Sequence, residues 1–446
     1  MRLDNTHIKN GIQQILLRVI EFGRFNKSNH PDGRHASSPS NYAGGSVEKQ
    51  RIERLALMLW SSQQSEYPGT QAGEVEFIRA YCDGRLCGNA LCYLYFQPAM
   101  ANILYGVNGE GAGHSTRSRE TILHLQRQGH LVVAASFDRG LRNLSDVCEV
   151  MEIHGFRFTY VNNQVRYNRT LARSLFHAGK ARRGISELTQ LIDERGIELV
   201  ITDFEPLTCR AGRRRKLPVI SIDNQHIMTH FKMTMPPGYR TDATACKMLV
   251  RMMTPYADHY LVTSFFDAPG GRRNSELVSP ILRQQIQDAV PSSDGSILVY
   301  VTSPAPQLIK LLSSVRAEFI AYGFNREGRE GNILYKKPGF ETFFADLVRA
   351  QAIIANAGFS LVTEALHLGK PYLAVPVRNQ FEQIFNAFWL GRTGYGAFWE
   401  ELTKERVESF LYNLPHFREK LAEYPRTSNR ELFSKLDALI AARLKQ

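Results

Sequence analysis

The stretch VNGEGAGHSTRSRE, residues 107–120, sets Gly109, Gly111 and Gly113 directly ahead of His114, with Glu110 between the first two. Glycines allow backbone amides to come close to a ligand, and a neutral imidazole can take a proton from one. A dinucleotide fingerprint would need a third glycine at i+5 for helix–strand packing. Counting from Gly109, the second falls on Gly111 but the third place holds His114, and counts from Gly106 or Gly111 also fail. Asp138 lies near where a nicotinamide enzyme places its ribose-binding carboxylate, but acidic residues at such distances are common by chance. The loop reads instead as one that approaches phosphate or sugar and presents His114 at a helix start, where the dipole favours the neutral base. The bland competitor is a histidine that caps or packs.

A second group lies in ANAGFSLVTEALHLGKPYLAVPVRNQFEQIFNA, residues 355–387. Asn356 and Gly358 end a strand, and a helix opens near Ser360, whose unpaired N–H groups and dipole suit a diphosphate. Glu364, about one turn further in, can accept both hydroxyls of a ribose. Glu382, Gln383 and Asn386 open the next helix with an acid and amides, which suit the vicinal hydroxyls of a sugar. Together these groups would hold a diphosphate, a ribose and a polyol, which is a nucleotide sugar. Two polar strand ends complete the set: Asp203 and Glu205 in TDFEP, and Asp223, Asn224, Gln225 and His226 in IDNQH. For each of these residues the ordinary alternative is a cap or a solvent-facing polar side chain.

Strands and helices in alternation must position these residues. From Met100, strand-length apolar runs occur at NILYGV, LVVAAS, FRFTYV, ELVITD, PVISID and HYLVTS, and most are separated by helix-length segments. That is the βαβ pattern of a parallel sheet covered on both faces. A stretch rich in Pro, Gly and Arg interrupts it, and SILVYV, FIAYGF, QAIIANA and PYLAVPV begin a second series. The expected division is a poorly structured extension over 1–99, a Rossmann-like domain over 100–275, a linker over 276–294 and a second Rossmann-like domain over 295–446. Ligands of such sheets sit at the carboxyl ends of the strands, in a cleft between the halves.

The chain has 446 residues, too many for one ordinary core. No run approaches the ~18 to 20 apolar residues of a membrane span, and the N-terminus does not read as a signal peptide, so a cytoplasmic protein is expected. Six cysteines show neither C-x-x-C nor zinc-ligand spacing, which fits reduced thiols. The net charge of +12 favours an anionic partner, for which nucleic acid, anionic lipid and a phosphorylated small molecule all qualify. The sharpest basic cluster, Arg210, Arg213, Arg214, Arg215 and Lys216, reads first as a helix end whose cations face the negative pole, and second as a membrane-surface patch.

The segment around 356–387 resembles the donor-binding region of glycosyltransferases of the B-type fold, families 1 and 28. These include the bacterial enzyme that adds N-acetylglucosamine to a lipid-linked cell-wall precursor. In the family 1 pattern H-C-G-W-N-S-x-x-E, the glutamate lies eight residues after the histidine; Asn356 and Glu364 keep that spacing, with Gly358 and Ser360 between. Glu382, Gln383, Asn386 and Ala387 are similar to the following P-x-x-x-(D/E)-Q-x-x-N-A pattern, two residues further from Pro376. The loop 109–114 is similar to the acceptor-side G-x-G-G-H loop, to which Arg117 is added. TDFEPL followed by PVISIDNQH is similar to an uncharacterised bacterial and archaeal subgroup related to family 28. Asn356 stands where histidine or glycine is usual and Leu361 where serine is common, so the phosphate contacts differ from the family pattern.

The resemblance implies a B-type fold and transfer of a sugar from a nucleoside diphosphate, UDP-linked by expectation, to a hydroxyl with inversion. His114 is the expected general base, with Glu110, Asp203 or Glu205 orienting or replacing it. Backbone amides at 358–360, aided by Ser303 and Arg283, would receive the departing diphosphate, and Asn224 and His226 would border the acceptor. The expected partners are a nucleotide sugar and a hydroxyl acceptor, lipid-linked or anionic, at the inner membrane face, with no nucleic acid. No Asp-x-Asp occurs, so no metal and no cofactor are expected. The rivals are a nucleotide-sugar epimerase of the same fold and a non-catalytic binding protein.

Overall fold

A computed structural model describes residues 100–444, except 156, 158–159, 162–163, 166–177, 303–305 and 338. The reading of residues 1–99 and the role given to Ser303 lie outside the described residues, as does half of the run FRFTYV.

Two seven-stranded sheets carry the molecule. The first is built from β1 (Asn102–Val107), β2 (Leu131–Ser136), β3 (Glu149–Glu152), β6 (Leu199–Asp203), β7 (Val219–Asp223), β8 (His259–Thr263) and β9 (Ser275–Val278). A small hairpin, β4 (Tyr160–Val161) with β5 (Gln164–Val165), stands apart. The order β3-β2-β1-β6-β7-β8-β9 is parallel throughout. The second sheet comprises β10 (Ile297–Tyr300), β11 (Phe319–Tyr322), β12 (Gly328–Glu330), β13 (Ile333–Tyr335), β14 (Ala352–Ala355), β15 (Tyr372–Ala374) and β16 (Gly396–Phe398). Its order is β12-β13-β11-β10-β14-β15-β16, with only β12 antiparallel.

Side chains of the central strands alternate between two apolar layers, as a sheet covered on both faces requires. Leu104 and Val200 join the layer containing Leu188 and Phe204, while Ile103, Tyr105, Leu199 and Ile201 point to the opposite layer with Ile122 and Leu125. In the second sheet Leu298 and Ile353 face one layer, and Ile297, Val299 and Ile354 the other. Each sheet reverses its strand order beside its first strand, between β1 and β6 and between β10 and β14. Such reversals open a crevice at the carboxyl ends of the strands. This is the B-type architecture of two Rossmann-like halves.

Five helices matter for the site: α1 (Gly113–Arg127), α2 (Pro206–Arg214), α3 (Phe359–His367), α4 (Phe381–Thr393) and α5 (Arg430–Leu444). Four features differ from the sequence reading. Glu149–Glu152, where no strand was expected, pairs with β2 at the edge of the first sheet. Ser275–Val278, at the edge of the expected linker, pairs with β8 as the seventh strand. The segments 328–335 and 396–398 add strands where none was expected. The last helix, α5, packs on the first half rather than the second: Leu432, Phe433, Leu436 and Ile440 share a layer with Ile103, Ile122 and Val132, and Asp437 pairs with His124 at 2.9 Å.

The basic cluster follows the helix-end reading. Arg210 donates to the carbonyls of Pro206, Met252 and Met253, and Arg213 and Arg215 pair with Asp258 and Asp193. Among the described residues Cys148, Cys209 and Cys246 are free thiols, and no helix is long and apolar enough to cross a membrane.

Candidate functional site

β1 ends at Val107, which pairs in register with Asp203 at the end of β6. The glycine loop therefore starts beside that carboxylate. Gly109 is required because a Cβ there would lie 1.9 Å from the Phe137 carbonyl oxygen, and Gly111 turns the chain with φ +83°. The loop delivers His114 into the first turn of α1. Its Nδ1 lies 2.8 Å from Asp203 Oδ1, with side-chain exposures of 16% for the histidine and 1% for the aspartate. The Phe204 ring stacks on the imidazole at 6.2 Å and 11°. Phe204 holds a left-handed backbone, φ +54°, a conformation that costs a bulky residue on the order of 1–3 kcal/mol and clusters at functional sites.

Arg117, one helical turn beyond His114, is a buried clamp and not a loop contact. Its Nε and Nη2 grip Asp203 Oδ2 and Oδ1 at 2.7 and 2.6 Å, and Nη2 also lies 2.9 Å from His114 Nδ1. Ser118 Oγ adds a hydrogen bond to Oδ2 at 3.0 Å. Burial raises the pKa of the Asp203 carboxyl, but Arg117 and His114 outweigh it and hold the group below the ordinary carboxylate range. The spacing i, i+3 from His114 was the sequence signal for this role, since it puts both side chains on one helix face.

From Arg117 a chain of polar contacts crosses to the second half. Nη1 donates to Asn224 Oδ1 at 2.7 Å, and Asn224 Nδ2 donates to Glu382 Oε1 at 2.9 Å. Gln225 Nε2 reaches both Glu382 oxygens at 3.2 Å, while its own Oε1 is buried with no hydrogen-bond partner. Ser360 Oγ donates across the cleft to the Gly113 carbonyl at 3.4 Å. The N-termini of α1 and α3 thus face each other, and neither has a side-chain cap or an acidic residue in its first turn. Two uncapped helix starts form a region suited to negative charge.

Several expected ligands make hydrogen bonds within the protein. Glu205 is the N-cap of α2: Oε1 accepts from Leu207 N–H, and Oε2 from Thr208 N–H and Oγ. It is fully buried, and both of its carboxylate oxygens are engaged in the cap. Asn356 Oδ1 accepts from Thr302 N–H and Oγ, and Nδ2 donates to the Val375 carbonyl, so this side chain ties three strand ends together. Gln383 Oε1 accepts from Val377 N–H, and Asn386 Nδ2 donates to the Ala357 carbonyl. Both amides brace the backbone of the donor-side loops.

His226 is buried behind the site, with Nδ1 on Asp223 at 2.7 Å and Nε2 near Thr254 Oγ at 3.1 Å. It packs edge-on against His230, whose pKa burial and His226 push down to about 3. Both histidines are held by neighbouring groups of the first half, His226 by Asp223 and His230 by Ser275. Glu364 is held by Arg283, whose Nε and Nη2 donate to its two oxygens at 2.7 Å each. Glu110 is half-buried on the loop, its N–H donating to Asn108 Oδ1. Gly358 is the N-cap of α3.

The family model for glycosyl transferase family 1 matches residues 101–415. Among curated proteins no sequence relative matches. The fold is similar to that of a UDP-glucosyltransferase from Polygonum tinctorium, with TM-score 0.58 and 12% identity over 78% of this chain and 100% of that one. It is also similar to Phytolacca americana UGT2, solved with UDP-2fluoro-glucose and pterostilbene, with TM-score 0.57 and 15% identity over 77% and 99% of the two chains. The calicheamicin glycosyltransferase CalG4 shares it too, at TM-score 0.55 and 14% identity over 78% and 99%. The family match spans both sheets and the cleft between them, and the chain belongs to glycosyl transferase family 1.

Proposed function

We propose that this glycosyltransferase moves a sugar from a UDP-linked donor to a hydroxyl acceptor with inversion, using His114 as general base. The observation that carries the reading is the His114–Asp203 pair at the start of α1, facing the uncapped start of α3. With the Nδ1 hydrogen donated to Asp203, Nε2 keeps a lone pair on the opposite side of the ring. Nε2 takes the acceptor's hydroxyl proton as its oxygen attacks the anomeric carbon, and the bond from that carbon to the diphosphate oxygen breaks. The N–H groups at 358–360 receive the charge of the departing diphosphate. Glu382 and the unpartnered Gln225 Oε1 supply acceptors for sugar hydroxyls at the crossing point of the two halves. In this reading the chain needs no resident metal or cofactor.

The net charge of +12 supports an anionic or lipid-linked acceptor presented at a membrane face, as in cell-envelope glycan or glycolipid synthesis.

The test combines donor panels with isothermal titration. His114→Ala should lower transfer about 10²- to 10⁴-fold, the range for a positioned base, and leave UDP affinity unchanged. Undiminished turnover in that variant would remove His114 from the mechanism. Interconversion of donor sugars without any acceptor would identify an epimerase, and absence of nucleoside diphosphate release with every acceptor a binding protein.

A further inference from the structure

The carboxylate expected to receive a ribose is already occupied. The Arg283–Glu364 fork satisfies both carboxylate oxygens, with the two side chains 12% and 8% exposed. A two-point guanidinium grip uses the same pair of oxygens that two vicinal hydroxyls would use. The fork and a ribose therefore compete for Glu364. Removing Arg283 with nothing in its place would leave a buried carboxylate unpaired, which is strongly unfavourable. An incoming ribose supplies that replacement.

Where Arg283 sits decides what it can do once displaced. It precedes the short helix Gln284–Asp288, on the connection from β9 of the first sheet to β10 of the second. It is thus anchored on the crossover between the halves, outside both sheets. Ser360 and Glu364 are i and i+4 on α3, neighbours on one face about 5–6 Å apart. A guanidinium leaving Glu364 has one helical turn to travel to reach a diphosphate seated at the start of α3. That turn holds no acidic residue and no side-chain cap to compete for the cation.

We propose that Arg283 is an exchangeable counterion: it closes the ribose subsite in the free protein, and donor binding passes Glu364 to the ribose hydroxyls and Arg283 to the diphosphate. The proposal rests on the nucleotide-sugar reading of the second half and adds a residue that selects for the diphosphate. A nucleoside alone must displace Arg283 and offers it nothing in return. A nucleoside diphosphate offers both exchanges at once.

Calorimetric titration of uridine and UDP into the wild-type chain, Arg283→Gln, Arg283→Ala and Glu364→Gln tests this. In the Arg283 variants uridine should bind more tightly than in wild type and UDP more weakly. The UDP-over-uridine preference should shrink about ten- to hundredfold, the worth of one hydrogen bond to a charged group. In Glu364→Gln the latch is released and the ribose acceptor weakened for both ligands, while Arg283 still reaches the diphosphate, so the preference for UDP should be kept. Equal weakening of uridine and UDP in the Arg283 variants, or an unchanged ratio, overturns the exchange and leaves Arg283 as a brace for α3. If Arg283→Ala fails to fold, Arg283→Gln, which keeps one donor toward Glu364, carries the comparison. A wild-type chain that binds none of the uridine, guanosine and thymidine diphosphates overturns the donor reading and this inference together, whereas wild-type binding with an unchanged ratio overturns the inference alone.

Discussion

Asp203 gathers four hydrogen bonds from His114, Arg117 and Ser118 at a fully buried strand end. Because its folded pKa is depressed, it contributes stability that is complete above the unfolded value of about 4. That contribution is lost as pH falls from there through the depressed folded value. Urea midpoints measured from pH 7 down to pH 3 should therefore fall more steeply in the wild-type chain than in Asp203→Asn. The variant should be weaker at pH 7 by about 3–5 kcal/mol, since it leaves Arg117 buried without its counter-charge. At this scale the sequence was an uneven guide. His114 and Asp203 are legible from residue type and position. Asn356, Gln383 and Asn386 have the types of sugar ligands, and Asn356 Oδ1 and Nδ2, Gln383 Oε1 and Asn386 Nδ2 bond to backbone groups that need partners.

At the scale of elements, a helix start makes its own demand on a neighbouring carboxylate. Glu205 stands two residues after Asp203, at the right strand end for catalysis, but Pro206 starts α2 immediately after it. The first N–H groups of that helix need an acceptor, and the adjacent carboxylate supplies it. Glu205→Ala should lower stability by about 0.5–2 kcal/mol in thermal or urea unfolding, and leave transfer per folded molecule unchanged. A large fall in kcat at full folding would restore a catalytic role. The central parallel strands were readable as apolar runs, while β3, β9, β12, β13 and β16 were not. These lie at or next to the sheet edges, where β3, β9 and β12 carry charged residues in place of an apolar run, and they are held by pairing to neighbours already in place.

At the scale of the whole molecule, the halves are joined by more than their connecting segment. Asn224, Gln225 and Glu382 meet across the cleft, and α5 returns from the end of the chain to cover the outer layer of the first sheet. Leu436, fully buried there, belongs by sequence to the C-terminal half and by packing to the N-terminal one. Leu436→Ala should cost about 2–5 kcal/mol, the usual range for emptying a buried leucine site. Hydrogen exchange should rise in β1, β2 and α1 and not in β10 or β14. The opposite pattern would place the stabilising contacts of α5 in the second half.

The alternation of apolar runs with helix-length segments was enough for the fold class, because a strand buried on both faces must be apolar along its length and a parallel connection must be long. The glycine loop ending in His114 and the spacing from Asn356 to Glu364 marked the two sides of the cleft, because local backbone geometry depends on neighbouring residues. Partners were a different matter. Whether Asp203 faces His114 across 89 positions, Asn224 meets Glu382 across 158, or Arg283 covers Glu364 across 81 depends on how the strands are ordered and how the halves close. Strand order and closure are set by packing over the whole chain, and so the tertiary structure alone decided which polar residues face the cleft and which are bound to one another.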